Sequence, residues 1–190
     1  MKRRTAIFSI AALATGALAT FSGMRWYSSY KSPDLKYLQN NIELIGELAD
    51  VIIPPSDTGG AKQAMVAETV VALLRDAPKT TQNNFINGLQ DVKQYCRAKY
   101  NASFAEISAR EKYETVLYFS RMGKNNSYMF AKMKMKMFGH PFFYSLKQYT
   151  TIAFCTSRSG ATETLAYDHN PGSYERCTTL KPGQRSWATK

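Results

Sequence analysis

From Pro33 onward the apolar positions of the chain recur in steps of three and four. Leu35, Leu38, Ile42, Ile45, Leu48 and Ile52 fall on one face of a helix, with polar residues between them. Ile53-Pro54-Pro55 ends that run, because proline lacks an N–H and restricts the residue before it. A loop, PPSDTGGA, follows. A second helix is predicted over residues 62–77, with Met65, Val66, Val70, Leu73 and Leu74 as its apolar side. Pro78 interrupts the chain. A third stripe follows, made of Phe85, Leu89, Val92, Cys96 and Tyr100. Cys96 lies on this stripe, which marks it as a small core hydrophobe.

Ser103 with Glu106, and Ser108 with Glu111, have the spacing of capping boxes. The helix after Ser108 is predicted to run to about Met122, with Tyr113, Val116, Leu117 and Ser120 inward and Gly123 as its stop. Residues 126–138 read as helical, with Met129, Met133 and Met137 on one face. Pro141 suits the first turn of another helix, which carries Phe142, Leu146, Tyr149, Ile152 and Ala153. Beyond Cys155 the residues turn to Ser, Thr, Gly, Asn and Pro. The expected fold is all-α: a single compact bundle of five or six helices over residues 34–155. An irregular, extended C-terminal arm covers residues 156–190.

Composition agrees with a folded body. Of 190 residues, 44% are hydrophobic and 13% aromatic, enough for a sizeable core. The formal charge is +11, but the first residues qualify it. MKRRTAIFSIAALATGALATFSG places Lys2, Arg3 and Arg4 ahead of a short apolar run, then Ala17-Leu18-Ala19 as a small-x-small cleavage site. That is the anatomy of a bacterial export signal over residues 1–19. The adjacent Arg3 and Arg4 point to the twin-arginine route, which carries folded proteins. A general-secretion signal and an uncleaved anchor are the alternatives. Residues 20–33 form a polar lead-in. Losing Lys2, Arg3 and Arg4 with the signal would lower +11 to +8. The remaining cations are dispersed, not clustered among aromatics, and export argues against a nucleic-acid partner. The expected location is the periplasm or the periplasmic face of the inner membrane.

Catalytic chemistry is sparse. The two histidines, His140 and His169, have no cysteine or carboxylate at ligand spacing, which argues against zinc or non-haem iron. No C-x-x-C-H, Walker loop or G-x-G-x-x-G is present. KMKMKM, residues 132–137, offers thioethers that suit Cu(I), but its lysines would repel a cation, and Met133 and Met137 fit a core face better. No pair of groups forms an acid–base couple. No catalytic, cofactor-binding or metal-ligating residue is therefore assigned.

Three stretches resemble one family. They are ELADVIIPPSDTGGAKQAMVAE (47–68), GHPFFYSLKQYTTIAFCTSRSGAT (139–162) and YDHNPGSYERCTTLKPGQRSWAT (167–189). Together they are similar to the gluconate 2-dehydrogenase subunit 3 family, small subunits of membrane-associated, FAD-dependent sugar and sugar-acid dehydrogenases. The chain departs from the family's pattern at Arg158, where an acidic residue is common, and at Cys155, where an aromatic is common. The resemblance implies a non-catalytic subunit that binds, helps fold and escorts across the membrane a large flavoprotein of the glucose–methanol–choline type. FAD would reside in that partner, and a cytochrome c subunit could complete the complex. Membrane association would come through the complex. An independent periplasmic helical protein, binding or structural, is the other reading.

The arm fits a partner-binding role. It has too few aliphatics for a second core, and ordering it alone costs conformational entropy. It gains if Tyr167, Tyr174 and Trp187 bury against a partner, with Pro171-Gly172 turning the chain back. Cys177 has two pairing options in an exported chain, with a free thiol as the third reading. It could pair with Cys155, a loop closure stabilising by about 3 kcal/mol, or with a cysteine of the partner.

Overall fold

The computed structural model describes residues 31–122, 139–170, 172, 177, 179 and 182–188. The export signal with Arg3 and Arg4, the expected helix at 126–138 with its KMKMKM run, and Pro171 and Tyr174 lie outside the described residues.

The first apolar stripe forms two helices, not one. Helix α1 spans Leu35–Asn40 and α2 spans Ile42–Ile52. Asn41 separates them at φ −118°, ψ 23°. Its side chain explains the break. Nδ2 donates to the Tyr37 carbonyl at 2.6 Å, and Oδ1 accepts from Lys93 of a later helix. The apolar face survives the break: Leu38, Ile45, Leu48 and Ala49 are buried.

Helix α3 begins later than the periodicity predicts and spans Val66–Arg75. Met65 precedes it in a left-handed conformation, φ 49°, and points into solvent instead of joining the apolar side. Helix α4 spans Lys79–Tyr100 after Pro78 and ends at a left-handed Asn101. Gln82, buried near its start, donates to the carbonyls of Leu74 and Arg75 at 2.8 and 2.9 Å. It thus joins the backbone donors on the Leu74 carbonyl and caps that of Arg75 at the end of α3.

The Ser108–Glu111 box forms in full, with Glu111 N reaching Ser108 Oγ at 3.4 Å, whereas Ser103–Glu106 closes a turn that opens no helix. Ser103 N donates to Glu106 Oε2 and Ser108 N to Glu111 Oε2, each at 2.8 Å. The second opens α5, Ala109–Met122. This helix is rotated by about one residue from the expected face. Thr115 and Val116 are buried, whereas Tyr113 is 59% exposed. Two contacts set the rotation. Lys112 reaches Glu47 of α2, and Phe119 turns into a cluster of rings.

Helix α6 spans Phe142–Thr156, capped by Pro141, and packs on α2, α3, α4 and α5. It is the central element. Leu146, Ala153 and Phe154 are buried in it, while Ile152 stays substantially exposed. The core is one cluster that joins Leu38, Ile45, Leu48, Val70, Leu74, Phe85, Leu89, Val92, Leu146 and Phe154. Cys96 is buried within it, and burial pushes its thiol pKa up.

After Ser157 a π-helical turn, Gly160–Thr164, folds back on α6. Glycine is required here: a Cβ on residue 160 would lie 1.9 Å from the Phe154 carbonyl oxygen. Thr164 Oγ1 also reaches Thr58 Oγ1 at 3.2 Å, tying this turn to the proline loop after α2. Apart from an isolated bridge at Ala166, regular structure among the described residues is helical.

Candidate partner-binding surface

The arm leaves the body at Leu165. Ala166 forms a parallel bridge with Trp187: Ala166 N donates to the Ser186 carbonyl and Ala188 N to the Ala166 carbonyl, both at 2.8 Å. The arm therefore returns on itself, and Trp187 comes to lie beside the residue preceding Tyr167. Alternation along an extended chain sends Tyr167 and Ala166 to opposite sides. Tyr167 and Trp187 are both about half exposed. The Tyr167 hydroxyl lies 3.4 Å from His169 Nδ1. Gly172 is exposed, with open space where a side chain would stand. Of the residues expected to act together, the structure pairs Trp187 with Ala166, and Tyr167 follows Ala166 outside the bridge. The three cysteines are thiols: Cys96 buried, Cys155 half-buried, Cys177 exposed.

Two further features were not expected from the sequence. A cleft of about 620 Å³ opens between α2, the start of α3 and α4. Its walls carry Glu43, Glu47 and Glu68 opposite Lys62, Lys93 and Arg97. Glu47 is the best-held charge. Lys112 donates to its Oε2 at 2.7 Å and Lys62 to its Oε1. These hydrogen bonds, Lys112 first, hold the Glu47 carboxyl below the usual carboxylate range. Lys112 is itself largely shielded from water, at 18% exposure, so this link joins α2 and α5 where solvent screens it least.

The sign of the pH effect follows. A depressed folded-state pKa contributes stability that is complete above the unfolded carboxylate value and is lost as pH falls through the depressed value. Glu47→Gln is expected to lower unfolding stability by about 1 kcal/mol near neutrality. The gap between variant and parent should narrow between neutral pH and strong acid, as Glu47 becomes protonated only below the usual carboxylate range. Urea unfolding at the two pH values checks this. A gap that persists in acid would assign the loss to shape instead of charge.

The second unexpected feature is a group of rings between α4 and α5. Tyr95 stacks on Tyr118, with centroids 4.5 Å apart, and meets Phe119 edge-on at 5.7 Å. Tyr95 and Tyr118 lie 23 positions apart in sequence, on two helices, so no local pattern announces the group.

Among the described residues, no three His, Cys, Asp or Glu side chains gather as metal ligands. No described helix is long and apolar enough to cross a membrane. The family model for gluconate 2-dehydrogenase subunit 3 matches residues 39–172. That range contains every helix from α2 to α6 and the start of the arm. Among curated proteins and among solved structures, none matches the chain.

Proposed function

The chain belongs to the gluconate 2-dehydrogenase subunit 3 family, and on that premise we propose that it is the non-catalytic small subunit of an FAD-dependent sugar or sugar-acid dehydrogenase. In this reading it binds a large flavoprotein of the glucose–methanol–choline type, helps it fold and carries it through the twin-arginine route to the periplasm. FAD and the oxidation of substrate belong to the large subunit. A cytochrome c subunit is the natural electron acceptor. The observation that carries the proposal is the family match across the helical body. Support from geometry is the arm, which presents Tyr167 and Trp187 half exposed at the end of that body. Such aromatics are frequent anchors of protein interfaces, because they bury much area for little lost rotamer freedom. The half-buried Cys155 and exposed Cys177 are available for the pairing expected of an exported chain.

The test is co-expression of the tagged chain with the large subunit. A yellow, FAD-containing complex is expected, and electrophoresis with and without reductant reports whether Cys177 bonds Cys155 or the partner. Tyr174→Ala with Trp187→Ala is expected to weaken complex formation at least about tenfold, with helical content unchanged by circular dichroism. Full co-purification of that variant would remove the arm from the interface. A colourless chain that captures no flavoprotein would favour an independent helical protein.

A further inference from the structure

The joint between α1 and α2 turns on one amide side chain. In a continuous helix the Asn41 N–H would donate to the Tyr37 carbonyl, four residues back. Here Asn41 Nδ2 takes that carbonyl at 2.6 Å, and the N–H donates instead to the Leu38 carbonyl, three residues back, at 3.1 Å. A side chain that captures a helix acceptor in this way competes with the helix itself. The other end of the amide is held from outside. Lys93 of α4 donates to Oδ1, and its ammonium lies 5.4 Å from the centroid of the Tyr37 ring. Among the described residues Lys93 makes no ion pair, so no carboxylate competes with the amide for it.

The apolar stripe does not require the break. Leu38, Ile42, Ile45, Ala49 and Ile52 keep steps of four and three across it, and all lie in the core or pack against it. A continuous helix over 35–52 would present the same face. The broken and continuous forms therefore bury much the same surface and differ by an exchange of hydrogen bonds. Neutral bonds of similar strength nearly cancel in such an exchange. The bond from Lys93 is charge-assisted and stronger, so it tips the balance to the broken form. The consequence reaches the cleft, whose lining includes Asn40, Asn41, Ile42 and Lys93. Straightening the joint would move α1 against α3 and α4, which it touches, and reshape that wall.

We propose that Asn41 is a hinge and Lys93 its latch. The joint interconverts between the broken form and a continuous α1–α2 helix, and the hold of Lys93 on the Asn41 amide sets the shape of the cleft. Hinges of this kind absorb a change of backbone angle at one or two residues between rigid elements. The device belongs to the folded chain itself and does not rest on the accessory-subunit reading.

The experiment is NMR on the full chain, with relaxation dispersion and amide hydrogen exchange at residues 40–44. Dispersion on the microsecond-to-millisecond scale is expected at these amides in the parent. Asn41→Ala removes both side-chain bonds. It should abolish the dispersion and slow exchange of the Ile42, Glu43 and Leu44 amides at least about tenfold, because they gain helical partners. Lys93→Met keeps the apolar stem and removes the ammonium, so it should move the same signals part of the way. The double variant should match Asn41→Ala alone, since a latch acts only through its hinge. Lys93→Met is a half-buried change and decides the matter if Asn41→Ala does not fold. A flat dispersion profile at the joint of the parent overturns the interconversion. Unchanged amide exchange in Lys93→Met, or effects of the two substitutions that simply add, overturns the latch.

Discussion

Gly88→Ala is expected to destabilise the protein by about 2–3 kcal/mol, although helix propensity alone favours alanine there by about 1 kcal/mol. Gly88 lies inside α4, and a Cβ on it would stand 2.0 Å from Phe142 Cγ, 2.3 Å from Cδ2 and 2.5 Å from Cβ. Real Cβ atoms do not approach so closely, so something must move. The ring of Phe142 cannot simply turn aside. It packs edge-on against Phe85 and Phe119, and its own Cβ is one of the clashing atoms. Helix α6 would have to withdraw from α4, and α6 is the element that every large helix of the described body touches. The packing cost therefore exceeds the propensity gain. Denaturant unfolding of Gly88→Ala, Phe142→Ala and the double variant checks this. The double variant should recover only part of the loss, because trimming the ring leaves the Cβ in place. A stabilised Gly88→Ala would show that the two helices do not approach this closely.

That glycine also marks the boundary of what the sequence conveys. Leu38, Ile45 and Leu48, and then Phe85, Leu89, Val92 and Cys96, announce their helices and buried faces through spacing alone, and all are buried. Pro54-Pro55, Pro141 and the Ser108–Glu111 box announce ends and starts, because each acts on the backbone beside it. Tertiary causes are not written locally. Asn41 divides the first stripe partly because Lys93, from another helix, reaches its side chain. Helix α5 turns Tyr113 outward because Lys112 finds Glu47 across the bundle. A glycine at position 88 is visible in the sequence, but the approach of Phe142 is not. The candidate surfaces divide in the same way. Tyr167 and Trp187 stand out in a stretch poor in aliphatics, so composition alone singles them out. The stacked rings of Tyr95 and Tyr118 come together only after α4 and α5 have packed.

Under the proposed escort role, Arg3→Lys with Arg4→Lys is expected to leave both the chain and its proposed catalytic partner in the cytoplasm, an effect on location without any effect on stability. The substitution separates two readings of the same segment. A general-secretion signal needs a positive n-region, and lysine preserves that charge. A twin-arginine signal is read as a pair of planar guanidinium groups, which lysine does not reproduce. The partner's location carries the larger consequence. If the flavoprotein has no signal of its own, it can leave the cytoplasm only as folded cargo bound to this chain, so one pair of charge-preserving changes on this chain should retain both proteins. The measurement is fractionation of cells co-expressing the two chains, with FAD content of the periplasmic fraction as a second readout. Normal export of the lysine variant would overturn the twin-arginine reading. It would also remove the escort role, because the general route passes unfolded chains, and a bound, folded partner could not follow.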